Sequence, residues 1–337
     1  MGSLVYVGGY GSGISVYARG RDSAHLSPLG ALDTPDPSYL IADHEARLLY
    51  AVNELDAGTV TSYAVEADGL PRRLSTQQSD GVQPCHLALC QGYVIAANYG
   101  SGSASVHPVD SGGNLDPAID LVQHRGSGPE PERQEGPHAH QVHLASDLVT
   151  IVDLGTDRLM HYRLDPGSGR LAPIGETATA PGSGPRHAVL HPSGRWYVTC
   201  ELDSTVATFE PDPASGALRL SASQPATMST VDGGNFPSGI ALSGDGRFLY
   251  VGNRGADTIA TFALGAGGEL EPVGEVGTGG HWPRQFALVS DLLYVANERS
   301  GTVVALHIDT ATGLPEPTGE VVEVARPSCV LVTGWQI

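Results

Sequence analysis

The sequence of 337 residues contains no lysine, because all 18 of its basic residues are arginine. This absence excludes catalysis through a Schiff base on a lysine amine. The 37 acidic residues bring the net charge to −19, which opposes binding to nucleic acid or to an anionic membrane surface. The composition therefore argues against a polyanionic partner.

Long hydrophobic runs and paired cysteines are also missing. No stretch of 18 apolar residues occurs, and residues 1–10 lack a basic segment followed by an apolar one, so we predict neither a membrane span nor a signal peptide. The four cysteines form no Cys-x-x-Cys pair and have no zinc-binding spacing. Reduced thiols in a cytoplasmic protein are the expectation.

Glycine and proline are abundant, with 44 and 24 residues, and they stand at turn-like positions between short apolar runs. Seven prolines each open such a run, at residues 37, 84, 137, 185, 237, 283 and 327. Their intervals of 44 to 53 residues are typical of the blades of a β-propeller.

Each repeat contains further strand signals after its proline. A second apolar run ends in a small polar residue, as in Val52-Asn53 and Gly252-Asn253, and an alternating run such as 205–209 follows a turn. Each unit is therefore about four strands. The sequence predicts an all-β, seven-bladed β-propeller of four-stranded antiparallel blades, which occupies residues 1–337 as a single domain.

The phase of the repeat predicts how the ring closes. Residues 327–333 supply only a first strand, and residues 3–30 supply the three strands that should follow it. We therefore expect a blade shared between the N- and C-termini, which leaves no free sheet edge at the junction. A closed ring is sufficient as a monomer, and a dimer remains open.

Functional candidates are the residues at which the repeat is broken. One residue after the proline, the seven repeats have Ser38, Cys85, His138, Arg186, Ser238, Arg284 and Ser328. Three residues after the proline, His140 is the one polar residue among the seven repeats. The position after the Asn/Asp column reads Tyr10, Glu54, Tyr99, Leu154, Glu201, Arg254 and Glu298. Antiparallel pairing would bring these columns together at one mouth of the central channel.

The resulting candidate pocket contains His138, His140, Arg186, His187, Glu201, Arg254 and Arg284. A structural alternative is that Glu201 pairs with Arg186 only to hold two blades together. The recurring asparagines are interpreted as a turn and blade-closing device. Residues 123–137, rich in glycine, proline and charge, are expected to form a loop on one face of the disc.

Several segments resemble the lactonase family of seven-bladed propellers, over about residues 4–332. They include 97–103 (ANYGSGS), 133–142 (RQEGPHAHQV), 182–192 (GSGPRHAVLHP), 201–206 (ELDSTV), 245–255 (DGRFLYVGNRG) and 282–287 (WPRQFA). The resemblance implies a catalytic set of His138 or His140, Arg186, Glu201 and Arg254. We take His138, His187, Arg284, Tyr99 and Gln134 as the substrate-binding candidates. Two departures, Ser238-Gly239-Ile240 and Gln285, suggest a substrate different from the usual one.

The family resemblance implies hydrolysis of a small anionic sugar or organic-acid lactone. Glu201 or His140 would be the base, and Arg186 and Arg254 would bind an oxyanion, a carboxylate or a phosphate. A pocket rich in arginine repels cations, so no metal ion and no cofactor are expected. Two alternatives remain, namely a cycloisomerase acting on an unsaturated carboxylic acid and a non-catalytic propeller that binds a protein, in which the charges would be scattered over the ring.

Overall fold

A computed structural model describes residues 2–11, 13–21, 23–212 and 216–336. Within these ranges the chain forms 28 strands and no helix, and the strands build seven four-stranded antiparallel sheets. The first strands of neighbouring sheets contact one another around the whole ring. The predicted all-β, seven-bladed propeller is therefore confirmed.

We number the blades 1 to 7 in chain order. Blade 1 contains β28 (Pro327–Val332), β1 (Ser3–Gly9), β2 (Ile14–Arg19) and β3 (Leu26–Leu32); blade 2 contains β4 (Tyr39–Asp43), β5 (Leu48–Asn53), β6 (Thr59–Val65) and β7 (Pro71–Gln78); blade 3 contains β8 (Pro84–Cys90), β9 (Tyr93–Asn98), β10 (Ser103–Pro108) and β11 (Asp120–Gln123). Blade 4 contains β12 (Ala139–Ala145), β13 (Leu148–Asp153), β14 (Arg158–Asp165) and β15 (Arg170–Ala178); blade 5 contains β16 (Pro185–Leu190), β17 (Trp196–Cys200), β18 (Thr205–Pro211) and β19 (Leu218–Pro225). Blade 6 contains β20 (Phe236–Leu242), β21 (Phe248–Arg254), β22 (Thr258–Leu264) and β23 (Leu270–Gly277); blade 7 contains β24 (Pro283–Val289), β25 (Leu292–Asn297), β26 (Thr302–Ile308) and β27 (Pro315–Glu323).

The ring closes in blade 1 as the repeat phase predicts. Strand β28 pairs with β1 in antiparallel fashion, with Val5 opposite Val332 and Val7 opposite Val330. Strand β28 also contacts its neighbours β24 and β4, so it occupies the same inner position as the first strand of every other blade. The two ends of the chain therefore share one sheet.

Burial changes from the inner to the outer strand of each blade. All residues of β5 and β25 are buried, because these second strands are covered by the adjacent blades on both faces, whereas the outer strand β27 is mostly exposed. The apolar clusters lie between neighbouring blades; for example, Tyr250 of blade 6 packs with Leu293 and Val295 of blade 7. All four cysteines are buried and free.

The asparagine column ties the second strand to the loop that precedes the first. The side chain of Asn53 donates to Pro35 O at 2.6 Å, and that of Asn253 donates to Ala226 O at 2.8 Å. In blade 4 the position is Asp153, which lies 2.5 Å from His124 Nδ1. The interpretation of this column as a blade-closing device is confirmed.

Candidate functional site

A β-bulge at the start of the inner strand turns one side chain of most blades toward the channel. In blade 5, Pro185 pairs with Cys200 and His187 with Thr199, which leaves Arg186 as the extra residue. Arg284 occupies the same place between Pro283 and Gln285. Bulges re-aim side chains in this way beside many active sites.

Blade 4 corrects the column that was predicted from the prolines. Ala139 pairs with Asp153 and Gln141 with Val152, so the residue in the bulge is His140. His140, and not His138, is thus structurally equivalent to Arg186 and Arg284. Pro137 lies two residues before Ala139, which pairs with Asp153, whereas in blades 5 and 7 the proline itself makes the corresponding pair. Counting from Pro137 therefore assigned His138 to the position that His140 occupies.

The two columns meet in one cavity of about 170 Å³ at this mouth of the channel. Its lining combines residues of blades 2 to 7: Glu54, Gln83, Cys85, Tyr99, Arg133, His140, Glu201, Arg254 and Arg284. A second space of about 10 Å³, the volume of a single water site, is lined by Arg186 and His187 and shares Glu54, His140 and Arg284 with the larger one.

Glu201 is surrounded by three arginines on one side of the cavity. Its Oε1 accepts a hydrogen bond of 2.7 Å from Arg133, and its Oε2 accepts one of 2.6 Å from Arg254. Burial by itself would raise the pKa of Glu201, but Arg254, Arg186 and Arg133 outweigh it and hold that pKa well below its usual range. Glu201 is therefore ionised at neutral pH.

Arg186 has unused hydrogen-bonding capacity. Its Nε lies 3.1 Å from Glu201 Oε2, yet neither Nε nor Nη1 has a hydrogen-bond partner among the described residues, and the side chain is only 3% exposed. Burial and the neighbouring charge of Arg254 lower the pKa of Arg186. Because Arg186 and Arg254 share Glu201, the two guanidinium groups lie on the same face of the disc.

The opposite wall carries a second group of charges. The Tyr10 hydroxyl donates a hydrogen bond of 2.8 Å to Glu54 Oε2, and the Arg284 guanidinium lies 4.8 Å from the centre of the Tyr10 ring. Arg284 also contacts Glu298 at 3.3 Å. Burial raises the pKa of Glu54 despite the opposing effect of Arg284. The pKa of Glu54 is thus raised, whereas that of Glu201 is lowered.

The histidines of the cavity are neutral. Burial, followed by the charge of Arg186, lowers the pKa of both His140 and His187 well below the usual value. Their rings lie 5.2 Å apart, and His140 Nδ1 has no hydrogen-bond partner within the described residues. His140 therefore presents an unprotonated imidazole next to the arginines.

Two predicted substrate-binding residues are placed behind the cavity wall. His138 stacks on Tyr99 with ring centroids 4.5 Å apart, and its Nδ1 lies 2.9 Å from Tyr99 O. Gln134 is fully buried and donates hydrogen bonds of 2.8 Å to Leu154 O and Asp157 Oδ1. Both side chains order the loop that precedes β12, and neither lines the cavity.

The structure brings together His140, Arg186, His187, Glu201, Arg254, Arg284 and Tyr99. The lining residues that the sequence predictions did not select include Tyr10, Glu54 and Arg133. Tyr10 and Glu54 stand in the same column as Glu201, which was a usable signal. Arg133 comes from the 123–137 insertion, which has no counterpart in the repeat.

The described residues offer neither a metal-binding cluster nor a membrane-spanning helix. Within the described ranges, no three or more histidine, cysteine, aspartate or glutamate side chains are grouped so that they could hold a metal ion. The same part of the chain contains no helix of the length and apolarity that crossing a membrane requires.

Comparison with known proteins places the chain in a family. The family model for the seven-bladed β-propeller lactonases matches residues 4–332. The 6-phosphogluconolactonase of Bacillus subtilis is 35% identical and is covered over 97% of its length by 96% of this chain. The structure of the Pseudomonas aeruginosa periplasmic gluconolactonase PpgL superposes with a TM-score of 0.93 at 30% identity, over 99% of both chains. A protein from Lactobacillus plantarum gives a TM-score of 0.92 at 30% identity, over 98% of this chain and 99% of that one. The chain therefore belongs to the lactonase family of seven-bladed β-propellers.

Proposed function

We propose that this protein hydrolyses the lactone of a small anionic sugar acid, as the name of its Bacillus subtilis relative, 6-phosphogluconolactonase, states for that protein. The observation that carries the proposal is Nη1 of the buried Arg186, which has no hydrogen-bond partner among the described residues and lies beside a cavity lined by Arg133, Arg254 and Arg284. A buried cation with unused donors favours a ligand that brings negative charge. In a chain of net charge −19, this is a local positive site for an anion.

Arg186 has the features of an oxyanion-stabilising group. Attack of water on a lactone carbonyl places negative charge on the carbonyl oxygen, and donors that are already oriented stabilise that charge without reorganising. Nη1 of Arg186 is such a donor, and Arg254 is held beside it by Glu201 at 2.6 Å. The remaining arginines, Arg133 and Arg284, would hold the phosphate or carboxylate of the substrate.

Glu201 and His140 take different roles in this proposal. Both oxygens of Glu201 are engaged by arginines and its pKa is lowered, so it is a weak proton acceptor and positions Arg186 and Arg254. His140 is neutral, and its free Nδ1 can accept a hydrogen bond from a substrate hydroxyl or from water. The convergence of these groups in one cavity supports an enzyme over a non-catalytic propeller, for which the charges would be scattered.

The purified protein should be assayed with 6-phosphogluconolactone, with gluconolactone and with muconate-type acids. We expect the highest kcat/KM for the phosphorylated lactone, and we expect Arg186→Ala to lower it by about 100-fold or more. Arg163→Ala is the control, because the Arg163 side chain is 62% exposed on blade 4.

Two results would contradict the proposal. Hydrolysis of every lactone at the spontaneous rate, together with turnover of a muconate-type acid, would identify a cycloisomerase. Unchanged turnover in both Arg186→Ala and Glu201→Ala would show that the reaction takes place elsewhere in the molecule.

A further inference from the structure

The cavity is flanked by two carboxylates with different surroundings. Glu201 follows β17 in blade 5, and Glu54 follows β5 in blade 2, at the corresponding position of its repeat. Both line the larger cavity of about 170 Å³. Among the described residues that line the water-sized space of about 10 Å³, however, Glu54 is the single carboxylate, and Glu201 does not reach it.

The water-sized space adjoins the groups that lactone hydrolysis requires. Glu54, His140 and Arg186 all line it, and it shares Glu54, His140 and Arg284 with the lining of the larger cavity. A water molecule at this place would have a carboxylate and an imidazole nitrogen as acceptors, and it would lie next to the unpaired donors of Arg186. This is the arrangement in which a base activates water beside an oxyanion-stabilising group.

The hydrogen bonds of Glu54 leave it free to take up a proton. The Tyr10 hydroxyl donates to its Oε2 at 2.8 Å, and the Ser38 hydroxyl also favours its ionised form, whereas Glu201 is bonded to guanidinium groups through both oxygens. The charged and titratable groups that face Glu54 are Arg284 of blade 7, Arg186 of blade 5, Tyr10 of blade 1 and Cys85 of blade 3. Burial outweighs them and raises the pKa of Glu54, while the pKa of Glu201 is lowered. Two carboxylates whose pKa values are shifted in opposite directions by their surroundings take different roles in acid–base catalysis.

We propose that Glu54 is the general base that activates the attacking water, a role that rests on the proposed lactone hydrolysis. Glu54 takes a proton from water as the water oxygen bonds to the lactone carbonyl carbon, and the charge on the carbonyl oxygen is stabilised by Arg186. The tetrahedral intermediate then re-forms its C=O bond and breaks the bond to the ring oxygen. The leaving alkoxide takes the proton back from Glu54, and the product is a hydroxy acid, which releases its proton to solvent.

The first test is Glu54→Gln, which preserves shape and removes the base. We expect kcat for the best lactone to fall by a factor of about 10²–10⁴ with KM changed by less than about threefold. We also expect the acidic limb of the kcat–pH profile to disappear. Glu54→Asp should recover part of the activity, because it retains a carboxylate. The control is Glu176→Gln on blade 4, whose carboxylate is 56% exposed.

The second test is Tyr10→Phe, which removes the hydrogen bond to Glu54 and keeps the ring beside Arg284. The Tyr10 hydroxyl stabilises the ionised form of Glu54, so its loss raises the pKa of Glu54 further. The acidic limb of the kcat–pH profile should therefore move to higher pH. A purely structural role of Glu54 would not move this limb.

The outcomes separate this proposal from the proposed function. If the wild-type protein hydrolyses lactones while Glu54→Gln keeps kcat within about threefold and retains the acidic limb, Glu54 is not the base and the lactonase function stands. If Glu54→Gln does not fold, an unmoved acidic limb in Tyr10→Phe contradicts the proposal. A wild-type protein that hydrolyses no lactone contradicts the proposed function itself.

Discussion

At the scale of single residues, one carboxylate makes the arginine cluster possible. Arg186 and Arg254 would repel one another in a space from which water is largely excluded, and Arg133, whose side chain is 40% exposed, adds a third positive charge at its edge. Glu201 lies within 3.1 Å of all three and is itself 5% exposed, so it balances part of their charge. The charge that remains unbalanced is the part available to an anionic ligand.

Glu201→Gln should therefore destabilise the fold, and the effect should depend on pH. The lowered pKa of Glu201 means that its contribution is fully present above the unfolded-state pKa of about 4.3 and is lost progressively as the pH falls from there through the lower folded-state pKa. We expect the free energy of unfolding at pH 7 to fall by about 3–5 kcal/mol, as for other broken buried ion pairs. Urea unfolding at pH 7 and at pH 4 measures it, and the difference from wild type should be smaller at pH 4.

Glu176→Gln is the matched control for the stability of Glu201→Gln. Its carboxylate pairs with Arg158 at the surface, with exposures of 56% and 37%, so the change should be within about 0.5 kcal/mol. Equal stabilities of Glu201→Gln and wild type at pH 7 would show that the arginines do not depend on this carboxylate.

At the scale of elements, tyrosines of the second strands connect neighbouring blades. Tyr197 of β17 donates to Gly268 O at 2.8 Å, and Gly268 lies in the turn between β22 and β23 of the next blade. Tyr6 makes the same kind of bond to Gly69 O at 2.9 Å. Tyr250 of β21 is equally buried, yet its hydroxyl has no partner among the described residues. Tyr197 and Tyr250 are therefore both buried, but only the Tyr197 hydroxyl has a hydrogen-bond partner among the described residues.

Tyr197→Phe should lower the free energy of unfolding by about 1–2 kcal/mol, because it removes a buried hydrogen bond and leaves the Gly268 carbonyl without its donor. Tyr250→Phe removes a hydroxyl for which the described part of the chain offers no partner, so it should be neutral or slightly stabilising. Urea denaturation of both variants measures the difference. Equal losses in the two variants would mean that the inter-blade bond contributes nothing measurable.

The elements also show what the sequence could predict and what it could not. The seven prolines and the alternating runs predicted every blade, because strand periodicity and turn chemistry are local properties. The bulge is a property of pairing, so His138 was placed in the column that His140 occupies. Arg133 could not be found by comparing repeats, because it belongs to the insertion. Glu54 stood in the right column, but its distinct environment depends on Tyr10 of another blade.

At the scale of the whole molecule, closure keeps the cavity walls in place. The walls come from six blades, so the site exists only when the ring is complete. Beyond β28, Trp335 also connects blade 1 to blade 2, since its Nε1 donates to His44 O at 3.0 Å and its ring lies 6.2 Å from that of Tyr6. Closure and the site are thus linked, because β28 closes the ring and its Ser328 lines the water-sized space.

Removal of residues 327–337 should consequently abolish a stable monomer. The deletion takes away β28 and Trp335 and leaves the paired residues of β1, including Val5 and Val7, with an unpaired sheet edge. An unpaired apolar edge favours association with other chains. We expect size-exclusion chromatography to show aggregates or oligomers, together with loss of lactone hydrolysis. Removal of residues 336–337 alone keeps β28 and Trp335 and should leave the elution volume unchanged. A truncated protein that elutes as a folded monomer and retains activity would show that six complete blades hold the cavity without the closing strand.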